Sequence, residues 1–168
     1  MNFFKKNGFT MLEVIGAIFI LTVGIGAAFS LISQTLSTAS LAKEKLIASY
    51  LVQEGIEIIR NMRDGNFLEG EAWDEGLTNC SGGCIVDYNH SYGPNQEDPN
   101  LPAYSGQYLN IDSNGFYSHS SGIQTNFQRK VTITEPEANT LRILSEVFWQ
   151  EKGRTHSFKA MEELRNWK

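Results

Sequence analysis

Residues 14–42 of this chain read VIGAIFILTVGIGAAFSLISQTLSTASLA and contain no charged side chain. In the first 19 positions of this segment, Thr22 and Ser30 are the polar interruptions. A helix of about 20 apolar residues spans the roughly 30 Å hydrocarbon core of a bilayer. Because lipid offers no partner to backbone polar groups, a single span must be helical. The sequence therefore predicts one membrane-spanning helix near the N-terminus.

The residues before this segment predict its orientation. Lys5 and Lys6 are the charged residues that precede Glu13, and positive charges beside a span stay on the cytoplasmic side. We therefore expect a single-pass protein of the cytoplasmic (inner) membrane whose globular part lies outside.

Three interpretations of the apolar segment remain open at this point. A secretory signal peptide has an apolar core of 7–15 residues and a small-residue cleavage site, whereas this run is longer and lacks a clear Ala-x-Ala pattern. A plain membrane anchor fits the length but leaves Glu13 unexplained, because a carboxylate at the membrane is costly without a partner. In the third interpretation, Glu13 has a specific partner.

The segment from Lys5 to Val14, KKNGFTMLEV, resembles the processing site of the type IV pilin and type II secretion pseudopilin superfamily. The resemblance implies that residues 1–8 are a leader, that a prepilin peptidase cuts between Gly8 and Phe9, and that Phe9 is then N-methylated. It also implies that Glu13 acts in assembly. Cleavage would create an α-ammonium group at Phe9, which the Glu13 carboxylate of the same or a neighbouring subunit could pair with.

The same resemblance implies a function and a set of partners. The chain is expected to be a structural subunit of a type IV pilus or pseudopilus-like filament, on the cell surface or in the periplasm after assembly. Its partners would be the prepilin peptidase/methyltransferase, other pilin or pseudopilin subunits, the inner-membrane assembly platform and the lipid bilayer. The alternative function is a membrane-anchored, exported adhesion or ligand-binding module.

Composition and motifs argue against other functional classes. The formal charge of −5 disfavours a nucleic-acid partner. The three histidines, His90, His119 and His156, are scattered and have no Ser or Cys motif beside them. We therefore expect no catalytic residue, no metal site and no cofactor.

The predicted helix continues beyond the membrane. Residues 9–42 form the expected membrane or filament-core half, and residues 43–63 form an amphipathic half that ends at Asp64-Gly65-Asn66, with Gly65 as its C-terminal cap. The predicted apolar stripe of the second half consists of Leu46, Ile47, Tyr50, Leu51, Ile58, Ile59 and Met62.

Residues 64–128 are predicted to be rich in loops, with one hairpin. Strands at 108–111 and 116–119 flank the turn sequence Asp112-Ser113-Asn114-Gly115. Asp112 and Asn114 also resemble the opening of a calcium loop, but the remaining ligands are missing at the required spacing. We therefore expect a turn.

Cys80 and Cys84 are the two cysteines of the chain, and they enclose Ser-Gly-Gly. Outside the cytoplasm such a pair favours a disulfide. Free thiols, or a metal site that recruits His90, remain the alternatives.

Residues 129–168 are predicted to form an antiparallel sheet and a C-terminal tail. Alternating patterns at 129–134, 141–150 and 155–161 indicate three strands, with a turn at 151–154. Because the helix stripe and the sheet each need a covered apolar face, the expected fold class is α+β, with the helix packed on the sheet. The resemblance implies the same pilin-like arrangement.

Overall fold

A computed structural model describes Gly8, residues 10–88 and residues 100–167. Phe9 and His90 lie outside the described residues. The chain divides into two compact units, residues 1–43 and residues 44–168. The elements in chain order are α1 (Met11–Glu69), β1 (Tyr108–Ile111), β2 (Tyr117–Ser118), β3 (Ile123–Glu137), β4 (Thr140–Glu151) and β5 (Arg154–Arg165). This α+β architecture confirms the predicted fold class.

The C-terminal end of α1 differs from the prediction. The helix passes through Gly65 and ends at Glu69, and Gly70 follows with a φ of 82°. Asn66 explains the extension, since its side chain is buried and its Nδ2 donates to the carbonyl oxygens of Trp73 and Glu75. Burial and side-chain hydrogen bonding outweigh the local turn signal, and Gly70 takes the left-handed cap position expected for Gly65.

The second half of α1 buries one face. Its buried residues recur with helical spacing: Ala48, Leu51, Val52, Gly55, Ile56, Ile59, Met62, Asn66 and Phe67. Leu46 and Tyr50, which the sequence placed on the apolar stripe, are instead 56% and 63% exposed. At 3.6 residues per turn they lie far around the helix from Leu51 and Ile59, so their assignment to the buried stripe was wrong.

One antiparallel sheet contains all five strands, in the order β2-β1-β3-β4-β5. The predicted hairpin is confirmed, because Asn110 pairs with Ser118 and Ile111 pairs with Tyr117. β1 also pairs with the first part of β3, which begins six residues before the predicted start at Arg129. The hairpin and the three C-terminal strands therefore form a single layer.

Strand alternation places the core on one face of the sheet. The buried side chains of the central strands are Phe127, Arg129, Val131 and Ile133 on β3, and Leu141, Ile143, Ser145, Val147 and Trp149 on β4. The β4 series is the alternation that the sequence predicts. The helix lies on this face, because Arg129 donates to the carbonyl of Leu51 on the helix and a Cβ atom at Gly55 would lie 2.7 Å from Ser145 Oγ.

Ionic contacts at the margins join α1 to the sheet. The Nη2 of Arg60 lies 2.5 Å from the Oε1 of Glu162 on β5, and the pair is partly buried. Arg60 also pairs with Glu57 one turn earlier on the helix. Near β1, the amide of Asn126 donates to both carboxylate oxygens of Glu44 at 3.2 Å.

Candidate functional site

The first turn of α1 contains Glu13, and Gly8 lies just before this helix. Thr10 occupies the N-cap position, because the backbone N–H of Glu13 donates to Thr10 Oγ1 at 3.3 Å and to its carbonyl oxygen at 3.1 Å. A Thr followed three residues later by Glu is the capping-box pattern of a helix start. A negative side chain in the first turn also suits the positive end of the helix dipole.

The structure places Gly8 and Glu13 in exposed positions, while Phe9 falls outside the described residues. The Glu13 side chain makes no hydrogen bond or ion pair to any described residue in the isolated chain. Its carboxylate is therefore available to a partner that the single chain does not supply.

The apolar helix segment after Glu13 is exposed almost throughout. Among the described residues, one helix is long and apolar enough to cross a membrane, and its apolar window is entirely unburied. Phe19, Phe29 and Leu36 are each about two-thirds exposed. A soluble protein rarely leaves so much apolar surface uncovered, so the segment fits membrane anchoring or contact with other helices.

Cys80 and Cys84 are joined in the structure by a disulfide, with their Cα atoms 5.4 Å apart. The short loop that they close lies along the edge of β3 beyond the end of β1. The N–H of Cys84 donates to the carbonyl of Val131 at 2.7 Å, and Val131 N–H donates back at 2.9 Å. The N–H of Ile133 donates to the carbonyl of Cys80. The loop therefore occupies backbone groups that would otherwise form an open sheet edge.

Arg129 is a buried cation that the sequence analysis did not single out. Its side chain is fully buried beneath α1, and its Nη1 donates to the carbonyl of Leu51 at 3.0 Å and to Glu54 Oε2 at 2.7 Å. Its Nη2 donates to the carbonyl of Val86 at 2.5 Å. One guanidinium thus connects the helix, the sheet and the segment after the disulfide. The sequence could have indicated this burial, because Arg129 lies two residues before Val131 on the predicted strand and therefore shares its face.

A second buried pair joins the same segment to the end of β2. Asp87 is fully buried, and its Oδ2 accepts hydrogen bonds from the backbone N–H of His119 at 2.7 Å and contacts His119 Nδ1 at 3.3 Å. The neighbouring Ser118 hydroxyl contacts Ser120 and Ser121 rather than the imidazole. This arrangement ties a loop to a strand and does not align a nucleophile with a base.

In the part of the chain that the structure describes, no three or more His, Cys, Asp or Glu side chains cluster as a metal site would require. Asp112 is used by the hairpin turn, where its Oδ1 accepts from the N–H groups of Asn114 at 2.8 Å and Phe116 at 2.9 Å. The residues that resembled a calcium loop therefore form an Asx turn.

Comparison with known proteins identifies the N-terminal segment. A family model described as the prokaryotic N-terminal methylation motif matches residues 3–29. No curated protein and no solved structure matches the chain. The matched segment contains Gly8, Phe9 and Glu13 and includes the first part of the exposed apolar helix. The motif and the helix are together consistent with a type IV pilin-like protein, as the resemblance predicted.

Proposed function

We propose that this chain is a structural subunit of a type IV pilus or pseudopilus-like filament. In this proposal a prepilin peptidase removes residues 1–8, Phe9 is N-methylated, and residues 9–42 become the helical core of the filament. The observation that carries the proposal is the methylation motif at residues 3–29, which overlaps the start of an exposed apolar helix at Met11. A subunit of this kind is structural, so its chemistry is performed on it by the peptidase.

The helix supports this proposal through its small residues. The space that a side chain at Gly16, Gly24 or Gly26 would occupy is open to a distance of 4 Å in the isolated chain. In a membrane the hydrophobic effect does not drive helices together, so helix association depends on close packing. Small residues allow helices to approach closely enough for such packing. During assembly this segment would exchange its lipid contacts for contacts with the same segment of other subunits. The inner-membrane assembly platform would deliver each subunit to the filament.

The first experiment determines the N-terminus. The protein is purified from membranes of a peptidase-competent host, and its intact mass and N-terminal peptide are measured. The expected product begins at Phe9 and carries one additional methyl group. A Gly8→Val variant should retain the leader, because a branched side chain crowds the backbone at the proposed cleavage position. Asn7→Ala is the matched control and should be processed. An intact Met1 terminus in the wild type would refute the proposal.

The second experiment separates a filament subunit from the alternative, a membrane-anchored adhesion or ligand-binding module. Cells are sheared, and the surface fraction is compared between a strain with the assembly ATPase and one without it. A filament subunit enters the sheared fraction, or leaves the membrane, in an ATPase-dependent manner. A permanently anchored module remains in the membrane in both strains.

A further inference from the structure

Strand β5 forms an open edge of the sheet. It is the last strand in the order β2-β1-β3-β4-β5, and among the described residues its backbone pairs with β4 alone. Alternate residues of such a strand direct their N–H and C=O groups away from the sheet, where a further strand can bind them. The β5 edge can therefore accept an extended chain.

The features that usually protect a sheet edge are weak at β5. Short strands, prolines, bulges and inward-pointing charges are the common means of protection. β5 is 12 residues long, contains no proline, and keeps an unbroken register with β4 from Arg154 to Arg165. Its inward-pointing charge, Glu162, is paired with Arg60 on α1. A long and regular row of backbone groups is thus left open on this side of the described structure.

The side chains on one face of β5 alternate in charge around an apolar centre. Lys159, Met161 and Glu163 follow one another on the face opposite α1, and all three are exposed, Met161 at 60%. Glu163 Oε1 lies 2.9 Å from Arg142 on β4, whereas Lys159 makes no ion pair to any described residue. This order of positive, apolar and negative side chains is complementary to its own reverse.

We infer that β5 pairs with β5 of a second copy of this chain, antiparallel and with Met161 opposite Met161. In this register Lys159 of each copy lies opposite Glu163 of the other. On the inner face, Phe158 of each copy lies opposite Leu164 of the other. Unlike charges and apolar side chains that lie directly opposite each other stabilise a strand pair, and like charges destabilise it. No two like charges are opposite in this register.

The nearest alternative registers lose this match. Opposite residues of an antiparallel pair share one face, so a symmetric pair has a single residue at its centre. A centre at Glu162 places Glu162 opposite itself and Lys159 opposite Arg165, which are like charges. A centre at Ala160 places Lys159 opposite Met161 and leaves the charge without a partner. The charge pattern therefore selects the centre at Met161.

The pairing also determines which subunits can meet. Its two-fold axis is perpendicular to the sheet, so residues 44–69 of the two copies run in opposite directions along it. Subunits of one filament enter it from the same membrane and share one direction. The contact therefore joins heads of two separate filaments. This last step rests on the proposed function, whereas the pairing itself does not.

Charge reversal tests the pairing on the full-length chain in detergent micelles that are in excess over protein. Lys159→Glu and Glu163→Lys each place like charges opposite each other, so each variant alone should self-associate at least about tenfold more weakly than the wild type. An equimolar mixture of the two variants restores unlike charges at both positions and should associate as the wild type does. Lys45→Glu, at an exposed lysine of α1, is the matched control and should leave association unchanged. Sedimentation equilibrium measures all four samples.

Cysteine substitution tests the register. Opposite Cα atoms of an antiparallel pair lie about 4.5–5.5 Å apart, within the reach of a disulfide. Met161→Cys should therefore form a covalent dimer on mild oxidation. Ser157→Cys, exposed on the same face of the same strand, lies opposite Arg165 of the second copy and should remain monomeric.

Three results would overturn the inference. The first is a wild-type chain that stays monomeric at about 1 mM, which would leave the edge to a strand of a different protein. The second is a mixture of Lys159→Glu and Glu163→Lys that associates no better than either variant alone. The third is oxidation that links Ser157→Cys as readily as Met161→Cys. Micelles contain no filament and the variants lie outside residues 9–42, so failure of the proposed function would leave these outcomes unchanged.

Discussion

The Nη1 atom of Arg129 lies 2.7 Å from the Oε2 atom of Glu54, and this contact joins the inner face of the sheet to helix α1. Arg129 is fully buried, whereas Glu54 is one-third exposed. A buried cation that loses its counter-charge keeps its desolvation cost without compensation. The stability of the 44–168 unit should therefore depend on the charge at position 54.

We predict that Glu54→Gln lowers the free energy of unfolding by about 2 kcal/mol, the usual value of a hydrogen bond to a charged group. The carbonyls of Leu51 and Val86 still accept from Arg129 and limit the loss. The matched control is Glu57→Gln, which breaks a more exposed helix pair with Arg60 and should cost less than about 0.5 kcal/mol. Urea unfolding in micelles, followed by fluorescence of buried Trp149, measures both. Equal losses in the two variants would contradict the structural role of Arg129.

Gly55 is required where α1 approaches β4. A Cβ atom at residue 55 would lie 2.7 Å from Ser145 Oγ and 3.2 Å from Arg129 Cδ. Gly55→Ala should therefore destabilise the unit by about 1–3 kcal/mol despite the higher helix propensity of alanine. The buried Ser145 hydroxyl has no hydrogen-bond partner among the described residues.

The same contact predicts a rescue. Ser145→Ala alone should be neutral or slightly stabilising, because it removes an unsatisfied buried hydroxyl. Combined with Gly55→Ala it should recover at least half of the loss, because the nearest obstructing atom is absent. Denaturation of the two single variants and the double variant forms a double-mutant cycle. Strict additivity would mean that the close approach of Arg129 Cδ, and not the Ser145 contact, explains the cost.

Local periodicity was sufficient to predict the strands but not the buried side of the helix. On β4, alternate residues are buried from Leu141 to Trp149. Side chains on a strand alternate between two faces, so the apolar alternation identifies the buried face. On α1, apolar residues occur on more than one side, so Tyr50 was assigned to the core although it is 63% exposed. The sheet covers the face that contains Gly55, a residue whose lack of a side chain carries no hydrophobic signal.

In the candidate site too, local patterns were predictable and long-range contacts were not. The processing motif is a contiguous run, so spacing and resemblance are enough to propose Gly8 and Phe9 as the cleavage site and Glu13 as the assembly residue, and these roles stay predictions. The contact between Arg129 and Glu54 joins residues 75 positions apart and depends on which helix face meets the sheet. Single-sequence patterns do not determine such long-range pairs.

The Asp112 turn should respond to acid. Hydrogen bonds from the N–H of Phe116, and then from that of Asn114, lower the pKa of the Asp112 carboxyl below its ordinary value of 3.8. Because the pKa of Asp112 is lower in the folded state, its ionised carboxylate stabilises the folded state at pH values above the ordinary pKa. This stabilisation is lost as the pH falls through the pKa of the folded state. We predict that the amide signals of Asn114 and Phe116 shift in NMR titrations with a midpoint below 3.8. Asp112→Asn should remove that titration, and a midpoint above 3.8 would contradict the turn geometry.

Cys80 and Cys84 should resist alkylation until a reductant is added. Intact mass after iodoacetamide treatment, with and without dithiothreitol, distinguishes a disulfide from two free thiols. Because the closed loop is short, the double variant Cys80→Ser/Cys84→Ser should lose about 2 kcal/mol of stability. In this variant, hydrogen exchange of the Val131 and Ile133 amides should be faster, because both amides donate hydrogen bonds to this loop. Alkylation without reductant in protein exported by its host would contradict the disulfide.

We predict that residue 13 has two separable roles, one in the helix start and one in assembly. Its backbone N–H bonds to the N-cap residue Thr10, while its carboxylate is exposed in the single chain. The hydrogen bond to Thr10 uses the backbone N–H of residue 13 and not its side chain, so Glu13→Gln removes the charge and preserves the start of the helix. We predict that this variant inserts into the membrane and is cleaved, yet enters sheared filaments poorly, because it cannot pair with the new α-ammonium group.

Thr10→Ala is the matched control: it should weaken the helix start by about 1 kcal/mol and leave incorporation largely intact. Normal incorporation of Glu13→Gln, or an equal defect in Thr10→Ala, would show that position 13 acts through the helix and not through its charge.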